Sequence, residues 1–182
     1  MLPSIRIRRA AESDAQSLSA LAERTFRAAF AEANTPENME AHCAATYSRE
    51  LQLAEIRDSR CETWLVDADQ GLIAYVQLRL DAALPKIPGE RLIEIRRFYL
   101  DASHHGSGLA QQLMAHVLAR ARATGAEALW LGVWERNPRA IAFYQKWRFL
   151  VVGEHIFKVG DDPQRDLLMY RRVESGEAGS TP

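Results

Sequence analysis

Gly106 and Gly108 stand between an apolar run, Glu94-Ile95-Arg96-Arg97-Phe98-Tyr99-Leu100, and a long amphipathic segment that opens at Leu109-Ala110. Glycines at the start of a helix let the backbone come close to a ligand and allow φ > 0 if the turn needs it. The first helical turn has unpaired N–H groups, and the helix dipole favours an anion there. Strand, glycine turn and helix in that order make the skeleton of a pyrophosphate site. Two nucleotide motifs fail against it. The dinucleotide fingerprint G-x-G-x-x-G meets Gln111 at its last glycine, and the P-loop needs a Lys that does not follow.

A second stretch carries more. Asn137-Pro138-Arg139-Ala140-Ile141-Ala142-Phe143-Tyr144-Gln145-Lys146-Trp147-Arg148-Phe149 follows the apolar run 128–134. It resembles the pattern N-x-x-A-x-x-x-Y-x-K-x-G-F of the GNAT N-acetyltransferases, with Arg148 where Gly is usual. His105-Gly106-Ser107-Gly108-Leu109-Ala110 resembles that superfamily's coenzyme A signature, Q/R-x-x-G-x-G/A, with His105 in place of Gln or Arg. Either motif alone is short, and a glycine-rich helix start is often a plain turn. The pair is far more specific, and the resemblance spans about residues 5–173. Segments 130–135 and 157–169 look like a bacterial branch associated with polyamine acetylation.

The resemblance implies acetyl-CoA as co-substrate, with its pyrophosphate on the amides of residues 105–110 and with Asn137 in the cofactor site. It implies that Phe98, Tyr99 and Leu100 offer backbone groups to the pantetheine arm, as a strand added to a sheet edge. Lys146 could reach a coenzyme phosphate, although a helix C-terminus favours any cation. Acetyl transfer to an amine needs a neutral amine, stabilisation of the oxyanion and a proton for the departing thiolate. An alkylammonium, with a pKa near ~10.4, must therefore lose a proton near the site. Tyr144 is the candidate acid, against the alternative of a core aromatic beside Ile141. Glu94 matches the position of the general base in the histone-modifying branch, against the alternatives of an ordinary strand carboxylate, a partner for Arg96 or a water relay. For the acceptor, the expectation is a primary amine, with a polyamine as the sharper form. No Lys or Arg falls between Arg27 and Arg49, whereas Glu32, Glu37 and Glu40 do, and Asp161 and Asp162 occupy a later turn. Two acidic loops at one opening would concentrate a flexible cation. A protein N-terminal or lysine acetyltransferase and a non-catalytic coenzyme A-binding regulator are the other readings.

These residues need elements to hold them. Alternation at residues 5–8 predicts a strand. Leu18, Leu21, Ala22, Thr25, Phe26, Ala29 and Phe30 share a helical stripe over 15–30, with Ser13 and Asp14 as caps. Thr35 and Pro36 read as N-cap and N1 of a second helix, and 51–58 as a third. Residues 61–67 and 72–80 form a hairpin, and 92–100 a strand. The helix after Gly108 ends at Gly125, the run 128–134 is a buried strand, and together they make a βαβ crossover. Asn137 and Pro138 start a helix over 138–146. Strands 150–159 and 165–173 follow, joined by a turn at 160–163. The expected fold is α/β (α+β), one GNAT domain over residues 1–173. It has a central mixed sheet of six to seven strands, four or five helices and an unordered tail at 174–182.

At 182 residues, 47% hydrophobic and 26% charged, the chain can bury a proper core in one domain. A net charge of −1 argues against nucleic-acid binding through a broad basic face. Two cysteines, Cys43 and Cys61, match no metal or disulfide pattern, so a reduced cytoplasmic protein is expected. No apolar run approaches a membrane span or a secretion signal. His104 and His105 are adjacent and project apart, so no metal is expected. The four tryptophans read as core, and a homodimer is left open.

Overall fold

A computed structural model describes residues 5–69, 71–84, 87, 89 and 91–174. The expected tail therefore lies outside the described residues, apart from Glu174. Seven strands form one sheet in the order β1-β2-β3-β4-β5-β7-β6, with β1 Arg6–Arg9, β2 Cys61–Ala68, β3 Gly71–Arg79, β4 Leu92–Leu100, β5 Ala128–Trp134, β6 Leu150–Val159 and β7 Asp162–Arg172. Among the described residues there are five α-helices: α1 Ala15–Phe30, α2 Pro36–Tyr47, α3 Arg49–Arg57, α4 Leu109–Ala123 and α5 Pro138–Lys146. This is the expected mixed sheet.

Helix ends follow local chemistry, with one exception. Thr35 Oγ1 accepts from the Asn38 amide and Asn137 Oδ1 from the Ala140 amide, each ahead of a proline at N1. Asp14 does not cap α1 with its side chain: it lies in a 3-10 turn over Glu12–Asp14, and its carboxylate accepts from the Ala11 amide and from Arg8. Gly125, at φ +69°, closes α4 by donating to the Arg122 carbonyl while Ala126 donates to Ala121. Arg148 repeats that geometry after α5 at φ +62°, donating to Gln145 while Phe149 donates to Tyr144. The turn that a glycine usually makes is thus kept at a cost of roughly 1–2 kcal/mol for a left-handed L-residue. At the other hairpin, β7 already starts at Asp162, with Pro163 paired to Lys158, so the turn is shorter than the sequence suggests.

The sheet is covered on both faces. Leu113, Met114, Val117 and Ala121 of α4 pack with Val76, Ile95, Leu129 and Leu131, and α5 extends that layer with Tyr144. On the other face Leu18, Leu21 and Phe26 of α1 meet Met39, Tyr47, Leu65 and Tyr75.

Two departures from regular pairing shape the centre. Parallel β4 and β5 pair only from Leu92↔Ala128 to Glu94↔Trp130, then separate. Just beyond, the β3–β4 register slips so that Gln77 faces Arg97 but Leu78 faces Ile95, leaving Arg96 as a bulge. A bulge adds one residue, bends its strand and reverses side-chain parity. Ile93 and Ile95 therefore share a layer with Phe98 and Leu100, while buried Arg97 turns to the opposite face. There its guanidinium donates to Glu55 Oε1 at 3.1 Å and lies 5.2 Å from the Tyr47 ring, tying β4 to α2 and α3.

Glu62 of β2 fastens the other layer. It is 4% exposed and accepts from Arg120 of α4 at 2.7 and 2.8 Å, with Arg9 of β1 at 3.0 Å. Burial alone would raise its carboxyl, but Arg120 and Arg9 outweigh burial and bring it from 4.5 to about 2. A depressed carboxylate stabilises the fold above its unfolded pKa and loses that contribution as pH falls through the folded value. Urea unfolding of Glu62→Gln should show a deficit on the order of 3 kcal/mol at pH 7, shrinking between about pH 4.5 and pH 2.

Candidate active site

Where β4 leaves β5, a cavity of about 390 Å³ opens through the sheet. Phe98, Tyr99, Leu100, His105, Gly106, Gly108, Ala110, Asn137 and Tyr144 all line it. The structure thus brings together most of the residues singled out from the sequence. Four do not reach the lining. Leu109 is fully buried in the core. Ser107 is exposed, its hydroxyl held locally by donating to the His104 carbonyl and accepting from the Leu109 amide. Lys146 sits in the last turn of α5, at the end away from the glycine turn. Glu94 lies at the closed vertex, where β4 still pairs with β5.

One end of the cavity is built for an anion. Gly106 and Gly108 have φ of +79° and +85°, and a Cβ at either would find no atom within 4 Å, so nothing obstructs approach to the turn. Among the described residues the amides of Gly106, Gly108, Ala110 and Gln111 donate to no protein acceptor, as a helix start without a side-chain cap leaves them. The nearby cation is Arg139 of α5, not Lys146: its Nη1 is 2.9 Å from His105 Nδ1. Burial, then the Arg139 charge, lowers the His105 pKa, which favours the neutral ring as an acceptor for that guanidinium. Arg139 follows Asn137 by two residues, so the helix-cap motif marked its place.

At the middle, residues 95–100 expose a backbone edge that β5 no longer pairs. Tyr144 lies beside it, edge-on to Phe98 at 6.3 Å and packed on Phe143 and Phe149. Burial first, and Tyr99 second, push the Tyr144 phenol well above its ordinary pKa. It remains a proton donor at any physiological pH. Glu94 is likewise raised by burial, against the lowering effect of Arg96 and His155.

The other end is aromatic and acidic. Phe26, Phe30, Trp134 and Phe157 wall it, with the Phe30 and Trp134 rings 5.5 Å apart. Trp134 is therefore cavity wall, where the sequence suggests core: β5 no longer has β4 beside it there. Gln164 donates to Asn34 Oδ1 at 2.7 Å, joining β7 to the loop between α1 and α2 at the rim. Asp166 reaches the lining from β7, its carboxyl raised by burial against the lowering effect of His155, 3.7 Å away. Its sequence signal was slight, a carboxylate between Arg165 and the apolar run 167–169.

The model of the Acetyltransferase (GNAT) family matches residues 19–149. The chain belongs to this family. An uncharacterised N-acetyltransferase of Mycobacterium tuberculosis is 33% identical over 162 residues, covering 88% of this chain and 99% of the relative. The fold is shared with the PaiA N-acetyltransferase of Thermoplasma acidophilum, solved in complex with coenzyme A, at a TM-score of 0.76 and 22% identity over 93% of this chain and 99% of that one. It is also shared with mutant forms of the spermidine/spermine N-acetyltransferase SpeG of Vibrio cholerae, at a TM-score of 0.64 and 19% identity over 93% and 95%.

This GNAT protein is an N-acetyltransferase, and its bare amides, open glycine turn and unpaired β4 edge would suit acetyl-CoA as co-substrate. Gly108→Val should raise the acetyl-CoA Kd at least ~10-fold in calorimetry, because a side chain would occupy the approach to the amides. Gly71→Val, also at positive φ with open space around it but in the β2–β3 turn, should leave the affinity unchanged.

Proposed function

We propose that the protein transfers an acetyl group from acetyl-CoA to a primary amine by direct attack on the thioester. The observation that carries this reading is that the Tyr144 phenol lines the same cavity as Gly106 and Gly108 of the glycine turn and the Asp166 carboxylate. The β4 edge would hold the thioester so that its carbonyl faces the open pocket, and backbone N–H groups there would favour charge on the oxygen. Tyr144 would donate its proton as the C–S bond breaks.

A polyamine is the sharper form of the acceptor, and one observation favours it. The two acidic segments meet: the Asp161 amide donates to Asn38 Oδ1 at 3.2 Å, beside the Gln164 rim contact. Glu37 flanks Asn38, and Asp162 accepts from Gln164. Glu40 is already paired with Arg27 at 2.7 Å, and none of these carboxylates lines the cavity. They would hold a second ammonium outside it. The spermidine/spermine activity named for SpeG gives this reading fold-level support only.

Tyr144→Phe should lower kcat by about 10²-fold or more with little change in acetyl-CoA affinity, since a proton donor acts in the transition state. An amine panel read by free thiol release tests the acceptor. Spermidine or spermine should be acetylated, with KM rising at higher ionic strength and again in Glu37→Gln/Asp161→Asn. Turnover of a peptide N-terminus or amino acid in their place would move the acceptor to that class.

A further inference from the structure

We propose that Asp166, backed by His155, takes the proton from the acceptor ammonium. The inference rests on the amine-acetylating reading above and names the base within that site.

Strands β6 and β7 pair with His155 opposite Asp166, which puts both side chains on one face, Nε2 to Oδ2 at 3.7 Å. The Asp166 side chain is 13% exposed and lines the cavity, while His155 is 44% exposed and reaches solvent from the edge strand. Together they form a path from cavity to water. Gly132 of β5 makes room for them: a Cβ there would lie 3.1 Å from His155 Nε2 and 3.3 Å from Asp166 Oδ2. Gly132 also lines the cavity, just past the point where β4 and β5 part, so the carboxylate stands on the cavity wall beside the opened strand edge. Glu94 lacks that access. The groups that bear on Asp166 are His155 from β6, the Tyr99 phenol from β4 and Gln164 on its own strand, with Glu94 facing the same His155 from below.

The step balances. An N–H bond of the ammonium breaks, its electron pair stays on nitrogen, and the proton passes to Asp166, which keeps it through the attack and releases it through His155 to solvent only after collapse. The amine nitrogen then bonds to the thioester carbon and the carbonyl pair moves to oxygen. On collapse the C–S pair leaves with sulfur, which takes the Tyr144 proton. The remaining excess proton on nitrogen goes to solvent, and Tyr144 recovers its own from solvent. One proton is released per acetyl group.

The test uses the full chain and the amine that wild type acetylates best, following kcat/KM from pH 6 to 10 by thiol release. Asp166→Asn should lose about 10²-fold at pH 7. The deficit should narrow as pH rises, because the free amine then comes from solvent and log kcat/KM climbs with unit slope toward ~10.4. Acetyl-CoA affinity should not change. Gly132→Ala, which crowds the pair without altering its charge, should lose about 10-fold in kcat/KM, again at constant acetyl-CoA affinity. An Asp166→Asn enzyme within about 3-fold of wild type at pH 7, or a deficit constant with pH, overturns the proposal, as does the same pH signature in Glu94→Gln. If wild type releases thiol with no amine, the function proposed above fails and takes this inference with it. If wild type turns over and Asp166→Asn matches it, only the base assignment falls.

Discussion

Beyond Glu94 and Trp130 two neighbouring parallel strands stop pairing, and the rest of the molecule is arranged around that gap. Backbone N–H and C=O groups withdrawn from a ladder must find partners elsewhere. A strand edge left open inside a sheet therefore invites an extended ligand. The gap does not collapse because both strands are held from outside. Phe98 packs on Phe143 and Tyr144 of α5 on one face. On the other, Trp134 packs on Phe30 of α1, and Arg97 is clamped by Glu55 and Tyr47. The bulge at Arg96 bends β4 at the point where it leaves its neighbour.

Charge is divided along the cavity although the chain is almost neutral overall. Unpaired amides and Arg139 mark the end suited to phosphates. Asp166, and beyond the rim Glu37, Asp161 and Asp162, mark the end suited to a cation. Tyr144 lies between them, in surroundings apolar enough to keep its phenol protonated. Under the proposed amine-acetylating function this polarity would give two reactants of opposite charge separate entries to one reaction centre, and long-range attraction at each mouth would be the part that salt weakens.

Local chemistry made much of the fold legible. The proline-led caps at Thr35 and Asn137, the Gly125 stop and the period of α4 depend on neighbours in sequence, and each element formed where its residues indicate. So did the turn 105–110 and the Asn137 to Tyr144 face, because a helix start and a helix face are properties of short segments. Arg148 shows the limit of such reading: its type argues against a left-handed turn, yet the hydrogen bonds around it impose one.

What the sequence by itself determined was most of the elements, the place of the glycine turn and the face that carries Tyr144, each encoded in one short segment of consecutive residues. Only the tertiary structure decided which carboxylate lines the cavity. Glu94 lies between Ile93 and Ile95 and Asp166 between Arg165 and Leu167, and neither local setting separates a carboxylate that reaches the cavity from one that does not. Three contacts far apart in sequence do: β4 pairs with β5 up to Glu94 and no further, β6 sets His155 against Asp166, and Gly132 leaves the space between. Strand pairing and its interruption depend on where distant segments meet, so they carry no signature in the sequence of either strand alone.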